Sequence, residues 1–154
     1  RLLLEERVSI RNLPLILEAI AEAKPVLGAP EAIAEHVRQR LGFQIVAELL
    51  EEDGALPLIQ LSAEWEETFA AHELKEGDGA GDVALPPSEF NRLAAAVADR
   101  AARAGSEGRY PAIVTSTRRR RFLRTVLAAK GVRNPVLSFE EIGANGRPTL
   151  LGQA

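Results

Sequence analysis

YPAIVTSTRRRRFLRTVLAAKG, residues 110–131, sets a short apolar run directly ahead of a helical pattern whose first turns hold four consecutive arginines. Tyr110 to Ser116 is almost continuously apolar at its centre, which predicts a strand buried on both faces. The helix it feeds runs to about Lys130, and Gly131 closes it. Ser116 and Thr117 stand where an N-cap is needed, with a side-chain oxygen able to accept a free backbone N–H. On a helical wheel Phe122, Leu123, Val126 and Leu127 define the buried arc. Arg119 falls near its centre, Arg118, Arg120 and Arg124 on its flanks, and Arg121 opposite.

Four cations at the positive end of a helix dipole cost a few tenths of a kcal/mol each when exposed. Compensating carboxylates are therefore expected, from a neighbouring element or from an acidic partner. Arg118, Arg120, Arg121 and Arg124 are the candidate partner-binding residues on this reading. The simpler alternative lays the Arg119 stem along the core edge and leaves the others solvated and locally paired.

Working toward the C-terminus, Pro135 to Ile142 reads as a third strand, and ANGRP turns the chain into TLLGQ, a fourth. The tight Asn145-Gly146 link predicts an antiparallel final pair. Toward the N-terminus, Pro86 and Pro87 open a long helix that carries Phe90, Leu93, Ala94, Val97 and Ala101 inward and ends at Gly105 and Gly108. A strand over Leu56 to Ser62 and a helix over Ala63 to Leu74 precede it. Residues 1 to 7 read as the last turns of a helix. Asn12 caps the next one, with Pro14 in its first turn, and that helix reaches about Ala23. A further helix starts near Pro30 and runs through EAIAEHVRQRLGFQIVAELLEE to the Asp53-Gly54 stop. Its stripe is Ile33, Val37, Leu41, Ile45 and Leu49, and Gly42 inside it is either a kink, a close helix contact or a tolerated glycine. The expected fold class is α+β: a helical subdomain over 1–53, then a small α/β subdomain over 54–154 with a four-stranded mixed sheet.

The composition narrows the chemistry. The 154 residues carry 19 Lys+Arg against 22 Asp+Glu, a formal charge of -3, whereas dedicated nucleic-acid binders carry a basic excess. The 46% of hydrophobic residues suits a globular chain, and the absence of cysteine removes disulfides, thiolate nucleophiles and Cys-based zinc sites. No apolar stretch reaches the roughly 18 residues of a membrane span, and RLLLEERVS lacks a signal-peptide layout. A chain without methionine that opens on an amphipathic RLLLEE reads as a piece of a longer protein.

No catalytic, cofactor-binding or metal-ligating residue stands out. GDGAGD has a helix before it and two prolines after it, the wrong context for a phosphate cradle, and Asp78 and Asp82 lack the further ligands of a calcium loop. His36 and His72 have no paired ligand spacing. Acidic clusters such as EEDG and EEI read as solvated faces. No nucleophile elbow is present, and the chain reads as a non-enzyme.

Three stretches together resemble the flagellar and virulence type III secretion export-gate family, the FlhA or FHIPEP family: VSIRNLPLILEAI from Val8, HVRQRLGFQI from His36, and YPAIVTSTRRRRFLRTVLAAKGVRNPVLSFEEI from Tyr110. The resemblance covers essentially the whole chain and is weakest over about 60–105. It implies the third, helical, and fourth, α/β, cytoplasmic subdomains of such a protein. It also implies a membrane-embedded N-terminal half outside this sequence, at the bacterial inner membrane, with this segment at its cytoplasmic face. Implied partners are export substrates, chaperone-substrate complexes, export ATPase components and neighbouring copies in a ring, with no cofactor and no nucleic acid. Asn12 stands where the family commonly has aspartate, Thr117 where it often has proline, and the family's chaperone-docking region lies mainly in a subdomain this chain lacks. The alternative from another class is a nucleotide- or nucleic-acid-binding α/β module that uses the arginine run.

Overall fold

The computed structural model describes residues 1–74 and 82–154. Residues 75–81 lie outside the described residues, and with them most of GDGAGD, the stretch weighed above as a phosphate cradle and a calcium loop. The N-terminal part is helical. α1 (Leu2–Glu5) ends in a left-handed turn, α2 (Leu13–Ala23) follows, and α3 (Pro30–Arg40) and α4 (Gly42–Ala47) are separated by a break. Asn12 Oδ1 accepts the Leu15 N–H at 3.4 Å at the head of α2, where Pro14 has no N–H to lose.

The single long helix expected from Pro30 to Glu52 is thus two. Leu41 leaves helical geometry at φ -90, ψ 6, and Gly42 starts the next segment against another backbone. A Cβ at Gly42 would collide with the carbonyl of Glu141, so the glycine is there for a close approach. Its bareness lets two main chains touch.

The second part alternates strand and helix: β1 (Ala55–Gln60), α5 (Ala63–Ala71), α6 (Pro87–Ser106), β2 (Ala112–Thr115), α7 (Thr117–Ala129), β3 (Val136–Ser138), α8 (Phe139–Ile142) and β4 (Arg147–Gln153). The sheet order is β3-β2-β1-β4, and every pair is parallel. The mixed sheet expected from the sequence is therefore corrected. Asn145-Gly146 does not turn β4 back onto β3. Instead, the segment expected to extend the third strand to Ile142 becomes α8, and Ile142 packs on one sheet face beside Leu56 and Leu58. Gly146, at φ 70, then delivers the chain to the far edge, where the Arg147 N–H donates to the Gly54 carbonyl and β4 runs alongside β1. An α8 capped immediately after β3 makes a crossover rather than a hairpin.

Both sheet faces are covered, as apolar runs in parallel strands require. Ile59, Ile113 and Val136 face α5, α6 and α7 with Trp65, Phe69, Leu93, Val97 and Leu123. Leu56, Leu58, Val114 and Leu137 face the opposite way, into a cluster with Val8, Ile16, Val37, Leu41 and Val46. That second cluster joins residues before Asp53 to residues after it. Burial of such side chains is worth about 1.5–3 kcal/mol each.

Candidate interaction site: the arginine turn of α7

α7 begins where β2 leaves the sheet. Ser116 occupies its N-cap position with extended backbone, yet its hydroxyl makes no capping hydrogen bond. Thr117 does not cap either. It is the first helical residue, and its hydroxyl donates to Glu140 Oε2 at 2.6 Å while accepting from Gln39 Nε2 at 3.3 Å. The hydroxyls expected to cap α7 are thus turned, in the case of Thr117, toward α8 and α3. The Glu140 carboxyl is held below its ordinary value chiefly by that Thr117 hydrogen bond.

The carboxylates demanded by the arginines are inside the molecule. Arg118, exposed, pairs with Glu73. Arg119, 2% exposed, reaches Glu66 Oε1 from Nε at 3.0 Å and Glu73 Oε2 from Nη2 at 3.2 Å. Both acceptors come from α5 and the residues just after it. Such pairs offset the unfavourable end of the dipole.

Arg120 is the larger surprise. Placed by the wheel on a flank, it is fully buried. Its Nη1 donates to Glu6 Oε2 at 2.6 Å and to the Val136 carbonyl at 3.3 Å, Nη2 to Glu6 Oε1 at 2.9 Å, and Nε to Glu35 Oε2 at 2.7 Å. All three nitrogens are engaged internally, so this structure presents Arg120 to no partner. The wheel was in phase, since Arg120 lies one step beyond Leu127. What it lacked was the covering of that flank by α1, α3 and α8.

A second guanidinium completes the cluster. Arg38, 4% exposed, donates from Nε to Glu141 Oε1 at 2.6 Å and lies 3.4 Å from Glu6 through Nη1. Glu141 Oε2 also accepts the Ser138 N–H at 3.0 Å, while the Glu141 N–H donates to Ser138 Oγ at 3.1 Å, a complete capping box. The EEI cluster is therefore not a solvated face at Glu141, which is buried; the Ser138-x-x-Glu141 spacing was the signal for it. Arg38 and Glu35 had no comparable local signal.

Burial pushes the Glu6 carboxyl up, but its hydrogen bonds from Arg120 and the charges of Arg120, Arg38 and Arg124 outweigh that and hold it below its ordinary value. Burial pulls Arg120 down, and its hydrogen bonds to Glu35 and Glu6 more than reverse this, so it stays protonated. The arrangement binds, orients and neutralises charge. Among the described residues no group of three or more His, Cys, Asp or Glu side chains could hold a metal ion. His36 Nε2 sits 3.2 Å from Glu22, and the His72 ring N–H donates to the Thr68 carbonyl.

Of the remaining candidates, Arg121 is exposed and opposite the core, and Arg124 is half-buried with its Nη1 enclosed and without a hydrogen-bond partner among the described residues. The four candidates are not one patch. Arg118 and Arg121 face outward, Arg120 is sealed, and Arg124 lines a separate cavity.

No described helix is long and apolar enough to cross a membrane. The chain is 39% identical over 150 residues to the flagellar biosynthesis protein FlhA of Caulobacter vibrioides, covering 97% of this chain and 21% of that protein, so it spans about a fifth of the curated relative. Its fold matches a nonameric SctV-C of EPEC with a TM-score of 0.84 at 22% identity, over 99% of this chain and 45% of that one. It also matches a chain of the Chlamydia pneumoniae CdsV and CdsO complex with a TM-score of 0.81 at 24% identity, over 97% and 43%. The FHIPEP family model matches residues 1–147, and with the arginine turn, the parallel sheet and the helical entry all in place, the chain belongs to the FHIPEP family.

Proposed function

We propose that this chain is an assembly and docking segment of a flagellar-type protein export gate, working at the cytoplasmic face of the bacterial inner membrane. The observation that carries the reading is the family match over residues 1–147. The segment over 1–53 acts as the third cytoplasmic subdomain and packs against ring neighbours. The segment over 54–154 acts as the fourth and meets export substrates, chaperone-substrate complexes and export ATPase components. A fold shared with a nonameric SctV-C and with CdsV bound to CdsO supports this assignment. The role is non-enzymatic: the buried charges are spent on one another, which leaves a binding surface rather than a reacting centre.

The test is performed in the bacterium, on the intact protein. Deleting the region of residues 54–154 in frame abolishes secretion of the flagellar filament protein while the shortened protein still reaches the membrane. Normal secretion and motility from such a strain overturn the reading. Thermal stabilisation of the protein by micromolar ATP or short RNA would instead favour a nucleotide-binding module.

A further inference from the structure

The helical entry, α4, α7 and β3 enclose a cavity of about 440 Å³. Its volume lies within the range of ligand-sized pockets, and Ile45, Leu49 and Leu137 supply apolar wall. Its charges are unequal. The carboxylates around it are already held: Glu6 by Arg120, Glu5 by Arg1 at 2.9 Å, and Glu48 by Arg11 at 3.7 Å. Three of its arginines, Arg7, Arg124 and Arg133, have no ion-pair partner among the described residues.

Two of the three carry a further mark. Arg124 Nη1 is buried and makes no hydrogen bond among the described residues, a state that costs about 1–3 kcal/mol. Arg7 holds a φ of 58, as the left-handed residue that closes α1: its N–H donates to the Leu4 carbonyl and the Val8 N–H to the Leu3 carbonyl. Glycine is the usual residue at this position, so an arginine there accepts backbone strain of about 1 kcal/mol. The strained residue lines the cavity. Tyr110, 58% exposed, stands at its margin, and the pairing of arginine with tyrosine over an apolar floor is the composition of an anchor pocket for protein.

The geometry points to a docking site for an acidic peptide segment of a partner protein, in which a glutamate or aspartate side chain enters the cavity between the helical entry and α7 and pairs with the Arg124 guanidinium, with Arg7 and Arg133 as flanking charges. An apolar neighbour of that carboxylate packs on Ile45 and Leu49. The occupant is a peptide rather than a free anion because the cavity offers apolar wall as well as charge. The site rests on the docking reading above only in taking the partner to be a protein.

The intact protein is titrated with a fluorescently labelled decapeptide of alternating glutamate and leucine, with its glutamine-leucine counterpart, and with acetate and inorganic phosphate as competitors. The acidic peptide binds at least about tenfold more tightly than the glutamine peptide, and Arg124→Gln loses at least about tenfold, the scale of one charge-assisted contact. Arg7→Gly, which relieves strain, leaves the melting temperature unchanged or higher and still weakens binding. Arg118→Gln, outside the cavity, leaves affinity unchanged. Equal binding of both peptides, equal losses in Arg118→Gln and Arg124→Gln, displacement by acetate or phosphate at the peptide's own concentration, or no binding overturns the site. If Arg124→Gln fails to fold, Arg7→Gly alone decides. Export lost in the deletion strain but intact in Arg7→Gly would retain the proposed function and remove this site.

Discussion

Arg120 Nη1 lies 2.6 Å from Glu6 Oε2, although 114 positions separate the two residues in the chain. This contact, repeated by Arg120 with Glu35 and by Arg38 with Glu141, ties the N-terminal helices to the α/β part through buried charge. Such pairs gain little over well-packed apolar groups, but breaking one strands the remaining charges.

Arg120→Met is therefore expected to destabilise the protein by about 3–5 kcal/mol, because the largely buried Glu6 and Glu35 lose their main partner. Arg118→Gln, whose ion pair with Glu73 is exposed on the arginine side, should cost no more than about 1 kcal/mol. Urea unfolding midpoints of the two variants check this. Similar losses would mean that Arg120 is not sealed as described.

Glu6 makes part of this stability dependent on pH. Its carboxyl is held below the ordinary 4.5 by Arg120, Arg38 and Arg124 against the upward push of burial. A depressed folded-state value contributes stability that is complete above the unfolded value and is lost as pH falls through the folded one. Glu6→Gln should thus be less stable than wild type by about 1–2 kcal/mol at pH 7, with the gap closing below pH 4.5. A gap that stays constant from neutral pH down to about 3 would remove Glu6 from the titrating set.

Gly42→Ala tests the contact between α4 and α8. The new Cβ would meet the Glu141 carbonyl, which is backbone and cannot swing aside, so a loss of about 1–3 kcal/mol is expected despite the better helix propensity of alanine. Thermal unfolding reads it. A gain in stability would show that the two backbones are further apart.

Ser138→Ala removes the hydroxyl half of the capping box that also orients Glu141 toward Arg38. The expected loss is about 1 kcal/mol, in line with other N-caps. Ser116→Ala, at an N-cap position whose hydroxyl makes no such bond, should change stability by less than about 0.5 kcal/mol. Reversal of that order would mean that the hydroxyl of Ser116, not of Ser138, caps its helix.

Much of this molecule was written locally. Asn12 with Pro14 marked the head of α2, the apolar run at Ala112–Thr115 marked a strand covered on both sides, and the wheel put Leu123, Val126 and Leu127 inside. Each follows from a period or a cap within one turn or strand, so the neighbouring residues suffice to determine it. The demand for carboxylates near the arginines was legible for the same reason, because four charges and a helix dipole interact within a few residues.

Which carboxylates answer that demand was settled by packing. Glu6, Glu35, Glu73 and Glu141 belong to four separate stretches, and only the fold brings them to α7. The same holds for the direction of β4. An Asn-Gly pair is compatible with a hairpin, but α8 and the burial of Ile142 against Leu56 and Leu58 carry the chain across the sheet to β1. Local chemistry chose helix, strand and cap, and put Arg121 outside; the sharing of one core by distant segments determined sheet direction and the sealing of Arg120, because the burial of a flank residue depends on what covers it and not on its neighbours in sequence.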